Sequence, residues 1–321
     1  MDEMTLQSGF LMDLYRAASQ QSADTFQDWA LERLSQDLPF DSAMWASGVA
    51  TPAGPLFHSM HLLRQPVQML IDYEPLKHLD RFFAESVTNA GRTMRATSRT
   101  SLPAAFIPYI ERYGLEQGLC TMGIEPDAAL LTGLSLYRAD RNRPFSEAEA
   151  HFKQCVFPHL IEADSRNKLA HLESDTQPRA VRQWRSAAVD ALALLRCIDD
   201  GFKQLLLREW PRWHGPYLPD ALRELMLRGA STGVVGRRSV ARFATLGDLT
   251  LVQLRERAAI DELPERVRQV ARLAARGQSH KTIASALDVS PATVRNQLAT
   301  AYQRLGVNNK AEMTALMLHA D

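Results

Sequence analysis

The segment Ser279–Gly306, SHKTIASALDVSPATVRNQLATAYQRLG, decides how this chain is read. Serine stands at 279 and again at 290, each time just before an apolar-periodic run. That is where a side-chain hydroxyl satisfies the free N–H groups of a first helical turn. Proline at 291 suits the first helical position, whose own N–H would have no partner. Ile283, Ala284 and Leu287 in the first run, and Val294, Leu298, Tyr302 and Leu305 in the second, recur at helical spacing, and Gly306 stops the second run. Only Asp288-Val289-Ser290 separates them, so the pattern predicts two helices joined by a three-residue turn. Ala284 is small where the following helix must cross, Val289 plugs the corner, and Val294 packs back onto Ile283.

Working outward, Pro264–Arg276 places Val267, Val270, Leu273 and Ala274 on one face and ends at Gly277, while a last helix spans Lys310–His319. No strand pattern occurs in 261–321, which is therefore expected to be an all-α, four-helix unit. The second helix of the pair turns Arg295, Asn296, Ala299, Thr300 and Gln303 outward. These are donors, acceptors and a small contact of the kind that reads base edges in a major groove. Ser279, His280, Lys281 and Arg304 lie where a phosphate backbone would pass.

The order glycine (Gly277), S-x-K-x-I-A (Ser279–Ala284), S-x-x-T-V-R (Ser290–Arg295) and L-G-V (Leu305–Val307) resembles the DNA-binding domain of the LuxR/NarL family of bacterial regulators, over about 57 residues. The resemblance implies a four-helix unit that binds double-stranded DNA as a dimer on a roughly palindromic site. By position it implies groove contacts for Arg295 and Asn296 and phosphate contacts for Lys281 and Arg304. Ser279, His280, Thr293, Gln297 and Thr300 complete the expected DNA-facing set. Two departures stand out: the first helix opens Pro264-Glu265-Arg266-Val267 where the family usually has Thr/Ser-Pro-Arg-Glu, and Gln297 replaces a common histidine. The fold is expected to survive both, but no operator sequence carries over.

The preceding two thirds mix periodicities. Gln27–Leu38 reads as a helix stopped by Pro39, Ser42–Val49 as a strand, and Thr51–Pro55 as a turn-rich break. Gly118–Ile124 and Leu130–Tyr137 flank Glu125-Pro126-Asp127 and suggest an antiparallel pair. Ser146 and Glu149 form a capping box that opens a long helix, interrupted or restarted near Pro158 and reaching Leu172. Glu173–Pro178 is the best linker. Beyond it come an apolar run at Ala187–Leu195, a turn at Asp199-Asp200-Gly201, a helix at Phe202–Trp210 stopped by Pro211, and strands at Val234–Ala244 and Asp248–Leu254. The expected architecture is multidomain: an α+β unit at 1–173, a second α+β unit at 179–260 and the all-α unit at 261–321.

Gly114–Ile124, Gly133–Arg138, Arg143–Ser146 and Phe157–Leu160 look like the end of a GAF-type sensor domain. Residues 184–257 look like a PAS-type sensor, chiefly through Asp199-Asp200-Gly201-Phe202, Leu205-Leu206 and the last strands. Both resemblances imply sensing of a small molecule or a partner protein without naming it. Met44, Trp45, Phe57, Tyr73, Met122 and Tyr137 are candidate pocket residues, with a plain core as the competing reading. An acyl-homoserine-lactone pocket pattern is not evident, Asp72-Tyr73-Glu74-Pro75 being only a faint echo, and no receiver-type acidic cluster is seen.

Charge supports this organisation and removes other classes. The 321 residues carry 37 Lys and Arg against 37 Asp and Glu, but residues 1–178 are net −8 and 179–321 net +8. Within the basic part 179–260 holds +6 and the helical segment only +2. DNA binding is thus argued from where Lys281, Arg295 and Arg304 stand rather than from bulk charge. Asp2, Glu3 and Asp13 occupy the place of a basic signal-peptide start, and no apolar run is long enough to span a membrane. Cys120, Cys155 and Cys197 form no C-x-x-C pair and fit reduced cytosolic thiols. H-E-x-x-H and G-x-S-x-G do not occur, and Gly229–Arg238 lacks the order of a phosphate-binding loop. His58 and His61, or His159, are candidate metal or haem ligands of a sensor pocket, with the structural or exposed role of a lone histidine as the favoured reading. No metal, cofactor or catalytic residue is expected. The reading is a cytoplasmic, homodimeric DNA-binding transcription regulator, not an enzyme. Its rival is a protein-interaction adaptor that pairs its helical domain with another regulator and does not itself bind DNA.

Overall fold

The computed structural model describes residues 3–51, 54–176 and 184–320, so Pro52-Ala53 of the expected break and Gln177-Pro178 of the expected linker lie outside the described residues. Helices α1 (Glu3–Ala18) and α2 (Phe26–Asp37) lead into β1 (Ser42–Thr51) and its antiparallel partner β2 (Gly54–Leu63). Then come α3 (Gln68–Tyr73), α4 (Arg81–Thr88), β3 (Thr93–Thr97), α5 (Ser98–Ser101) and α6 (Ile107–Tyr113). The hairpin of β4 (Gln117–Glu125) and β5 (Leu130–Arg138) appears where the two apolar runs predict it. The sheet order is β2-β1-β5-β4-β3 with every pair antiparallel. Strand alternation sends Ala43, Trp45, Leu119, Leu134 and Leu136 into one core with α1, α2 and the long helix α7 (Glu147–Thr176). The other face, with Met44, Cys120, Met122 and Tyr137, packs against side chains from α3, α4 and α6.

The capping box at the start of α7 is present: Ser146 Oγ accepts the Glu149 N–H at 3.2 Å and the Ser146 N–H donates to Glu149 Oε2 at 2.7 Å. The expected break near Pro158 is not. The helix runs unbroken from Glu147 to Thr176, so the expected domain end and linker start at Glu173 fall inside it. A proline in a helix interior costs about 3 kcal/mol. Packing on both sides offsets that cost here. Val156, Phe157 and Leu160 are buried against the first sheet, and Leu169 and Leu172 are buried against the second.

The second sheet is built from β6 (Arg185–Asp190), β7 (Leu195–Ile198), β8 (Thr232–Val235), β9 (Ser239–Leu246) and β10 (Leu249–Glu256), with α8 (Asp200–Glu209) and α9 (Asp220–Leu227) inserted between β7 and β8. Its order, β7-β6-β10-β9-β8, repeats that of the first sheet. Three expectations change here. The apolar run Ala187–Leu195 contains a turn, because Asp190 Oδ1 accepts the Leu192 and Leu194 N–H groups at 2.9 and 3.0 Å. Asp199 is a helix cap rather than part of a turn, accepting the Phe202 N–H at 2.6 Å. Val234–Ala244 is a hairpin, not one strand: Gly236 takes φ +61°, and the Arg237 and Arg238 N–H groups reach the Glu209 carboxylate at 2.6 and 2.8 Å.

The tip of the first sheet is joined to the second unit. Ala128, between β4 and β5, is fully buried within the core formed by α8, α9 and the second sheet. The Gly215 N–H donates to Asp127 O at 2.8 Å, and a Cβ on Gly215 would meet Ala128 O at 2.0 Å, so only glycine allows this approach. Lys203 Nζ lies 3.0 Å from Glu125 Oε1. Among the described residues no helix is long and apolar enough to cross a membrane.

Candidate nucleic-acid interface

The last four helices are α10 (Glu265–Ala275), α11 (His280–Leu287), α12 (Pro291–Leu305) and α13 (Lys310–Ala320), matching the expected pattern. The two middle helices start with one and the same device. Ser279 Oγ accepts the Thr282 N–H at 3.2 Å and pairs with its hydroxyl at 2.8 Å. Ser290 Oγ does the same with Thr293, at 3.0 and 2.9 Å. The stops are equally local: Gly277 (φ +88°), Asp288 (φ +52°) and Gly306 (φ +66°) all take the left-handed conformation. Asp288 is the unusual one, aspartate being among the few non-glycine residues that tolerate it. The Val289 N–H then closes on Ala284 O at 3.0 Å, which aims α12 across α11. Ile283, Ala284, Val294, Leu298 and Ala301 form the buried seam, with Val289, Tyr302 and Leu305 half-buried at its margin.

Packing decides what is left outside. Ser279, His280, Lys281, Arg295, Asn296 and Arg304 are all exposed. Lys281, Arg295 and Arg304 have no carboxylate partner among the described residues, whereas Arg268 nearby pairs with Glu265. Three expected residues are less free. Thr293 is half-buried with its hydroxyl on Ser290, Thr300 donates back to Asn296 O at 3.0 Å, and Gln297 is half-buried with an unpartnered Oε1. The outward face of α12 is thus carried by Arg295, Asn296, Ala299, Gln303 and Arg304. The N-terminus of α11 brings Ser279, His280 and Lys281 alongside.

A clasp that sequence reading did not single out joins this unit to the second sheet. Arg255 of β10 holds Asp261 through two bonds of 2.5 and 2.8 Å, the Ala258 N–H adds a third at 2.8 Å, and Arg268 of α10 lies 4.0 Å away. Burial pushes the Asp261 carboxyl up, but these donors outweigh it and hold it below the ordinary range. The sequence signal available was only a charge pair six residues apart.

The six candidate pocket residues are divided between the two faces of the first sheet. Met44 and Trp45 are neighbours on β1 and so point to opposite faces. Trp45 enters the core with α2 and α7, while Met44 and Tyr137 pack with Met69 and Tyr113 on the other side. Phe57 and Met122 sit at a second cluster on that side with Phe83, Met122 lying against Gly133. Tyr73 donates to Asp80 Oδ2 at 2.9 Å and belongs to a ladder with Phe106 and Tyr109. Of the histidines, His61 bonds Asp28 and His159 bonds Tyr15, both at 2.9 Å. Among the described residues no cluster of three or more His, Cys, Asp or Glu is placed to hold a metal.

Residues 261–317 match the GerE family, bacterial regulatory proteins of the luxR family. No curated protein matches the chain. Among solved structures, the chain is similar to Escherichia coli SdiA, with 13% identity, 99% of this chain and 98% of that one covered, and a TM-score of 0.40. The N-acylhomoserine-lactone-dependent LuxR family transcription factor CepR2 from Burkholderia cenocepacia is similar over 49% of this chain and 93% of its own, at 17% identity and a TM-score of 0.37. A phycoerythrobilin-bound GAF domain from a cyanobacterial phytochrome gives 14% identity and a TM-score of 0.37 over 51% of this chain and 97% of that one.

Proposed function

With residues 261–317 a helix-turn-helix domain of the luxR family, we propose that this chain is a cytoplasmic, sequence-specific DNA-binding transcription regulator that acts as a homodimer. Its three units are residues 1–173, 179–260 and 261–321, with α7 shared by the first two. The first two serve as sensors of GAF and PAS type for a small molecule or a partner protein. The observation that carries the DNA reading is the outward face of α12, where the Arg295 and Asn296 side chains stand exposed with no bonded partner among the described residues, flanked by Lys281 and Arg304, which have no carboxylate partner among those residues. Structural cations pair with carboxylates; cations kept unpaired beside a row of hydrogen-bonding side chains suit a phosphate backbone next to base edges. Two copies would set two α12 helices at half-site spacing. An effector would act only by binding one dimer arrangement more tightly than another.

A gel-shift series with the full-length protein over several salt concentrations, on a site selected from a random DNA pool, tests this. Arg295→Ala is expected to cost about 1–3 kcal/mol on the preferred site and to relax sequence preference. Lys281→Ala should weaken all sequences alike and make the salt slope shallower by about one. Unchanged selectivity in Arg295→Ala would remove the base-reading role. Failure to bind any DNA in a salt-dependent way would favour pairing of the helical domain with another regulator.

A further inference from the structure

The positive surplus of residues 179–260 has no part in the α12 surface, and the second unit gathers it at one corner. Arg196, Lys203, Arg208, Arg223, Arg228 and Arg255 each pair with a carboxylate. Arg212, Arg237, Arg238 and Arg257 are exposed and have no carboxylate partner among the described residues. Arg237 and Arg238 lie in the turn between β8 and β9, and the Arg257 N–H donates to Arg238 O at 2.6 Å, so the chain leaving β10 runs against that turn. Arg212 follows α8, three residues after Glu209, whose carboxylate reaches the same turn. That acid is occupied by the backbone: it takes the Arg237 and Arg238 N–H groups at 2.6 and 2.8 Å and the Ser239 hydroxyl at 3.2 Å. The turn is thereby fixed while its guanidinium groups stay unclaimed. Counting Arg208, five arginines stand against three acids at this corner and just after it, Glu209, Glu256 and the exposed Glu262, so it remains net positive.

The corner adjoins the helical unit. Arg257 stands four residues before Asp261, which Arg255 clasps and which lies 4.0 Å from Arg268 of α10. Following the chain through α10 at ~1.5 Å per residue puts the start of α11 on the order of 30 Å from Arg257, comparable to one turn of DNA (~34 Å). We infer that this corner is a second phosphate-contacting surface, on which Arg237, Arg238 and Arg257 hold the backbone of double-stranded DNA flanking the site that α12 reads. The inference rests on the DNA reading above and extends it to the second unit. Guanidinium forks match phosphate oxygens, and such contacts add affinity without reading sequence. The competing acidic partner is the net −8 segment 1–178 of a second copy. Acids there such as Asp72, Glu116 and Glu149 are already held by Arg112, Arg99 and Arg138, whereas duplex DNA presents one charge per ~1.7 Å of its axis.

Gel shifts with the full-length protein over a salt series, on a site selected from a random pool and on unrelated DNA with equally long flanks, test the inference. The triple variant Arg237→Gln, Arg238→Gln, Arg257→Gln keeps the backbone N–H groups that Glu209 holds, and circular dichroism checks that it is folded. It should bind both DNAs about tenfold or more weakly at ~0.1 M salt, with a salt slope shallower by about two to three and the parent's preference for the selected site intact. A charge-matched triple on exposed arginines elsewhere, Arg81→Gln, Arg92→Gln, Arg228→Gln, should leave the slope unchanged. The inference is overturned if the corner variant keeps the parent's slope or if the control flattens it equally. It is also overturned if sedimentation shows the corner variant altering self-association while DNA binding stays the same, which would assign the corner to the acidic segment of a second copy. A parent that binds no DNA removes the α12 reading and this inference together; a parent that binds, with an unchanged slope in the corner variant, removes this inference alone.

Discussion

In the first sheet both faces are covered by helices drawn from residues 3–176. The second has α8 and α9 on one face and, on the other, borrows the C-terminal end of α7 through Leu169 and Leu172 against Ala188, Cys197 and Leu251. Strand order is identical in the two. The polar contacts α7 makes with them are not. On the second sheet Glu173 Oε1 accepts from Ser186 Oγ and, at 3.2 Å, from Gln253 Nε2, while Gln253 Oε1 takes Arg242 Nε at 2.7 Å. On the first sheet α7 presents Lys153, fully buried, donating to Thr121 Oγ1 at 2.6 Å and Leu134 O at 2.7 Å with no carboxylate partner among the described residues. Burial brings that amine down to about 7. The helix thus meets both sheets through acids, Glu173 on the second and, on the first, Glu149 with Arg138 of β5 at 2.5 Å and Glu147 with Arg95 of β3; what the first sheet adds is a buried amine with no acid of its own.

The largest effect is expected from removing the shared cover. Leu169→Ala and Leu172→Ala should each cost about 2–5 kcal/mol, with the pair falling short of additive because they are neighbours. Hydrogen exchange should show protection lost across 185–256 while 42–138 keeps most of its own. Equal loss in both sheets would mean that α7 does not distinguish them. Next in size is Lys153. Unfolded, its amine titrates near the ordinary lysine value of 10.5; folded, near 7. Between those values the unfolded chain binds the extra proton, so stability rises with pH by up to about 1.4 kcal/mol per unit, and below 7 the penalty is fully present. Urea unfolding of Lys153→Met should lose this rise and be more stable than the parent at neutral pH; an unchanged slope would clear the amine of any part in it. The smallest effect belongs to Gln253→Ala, about 1 kcal/mol and independent of pH across the same range, read as a modest fall in Tm.

Local chemistry determined what could be read in advance. The helical unit was legible because each boundary carries its own stop or start: Ser279, Ser290 and Pro291 on one side, Gly277 and Gly306 on the other. Ser146 and Glu149 marked the start of α7 in the same way. Its continuity was not legible, because Pro158 is a local breaker overruled by packing on two different sheets. The β8–β9 hairpin reads as one strand in sequence because its turn is held by Glu209, a carboxylate far away in sequence. Composition alone groups Trp45 with Met44, where strand alternation separates them. The DNA-facing set was largely visible, since exposure follows from the helical period; the partial burial of Thr293 and Thr300 goes with their hydroxyl bonds, and that of Gln297 with its neighbours. The clasp at Asp261 is a tertiary product whose only sequence signal is a charge pair six residues apart.

Ala128, at the tip of the β4–β5 hairpin, is wholly enclosed by side chains that lie between Ala187 and Leu254. During synthesis the hairpin leaves the ribosome before any of those side chains do, and domains generally condense in the order in which they emerge. The later core therefore closes around a knob that is already waiting, which makes the first sheet a template for the second as well as its neighbour. A fragment starting at Trp184 would have to assemble around a vacant socket, and its refolding yield would depend on supplying the earlier half in trans.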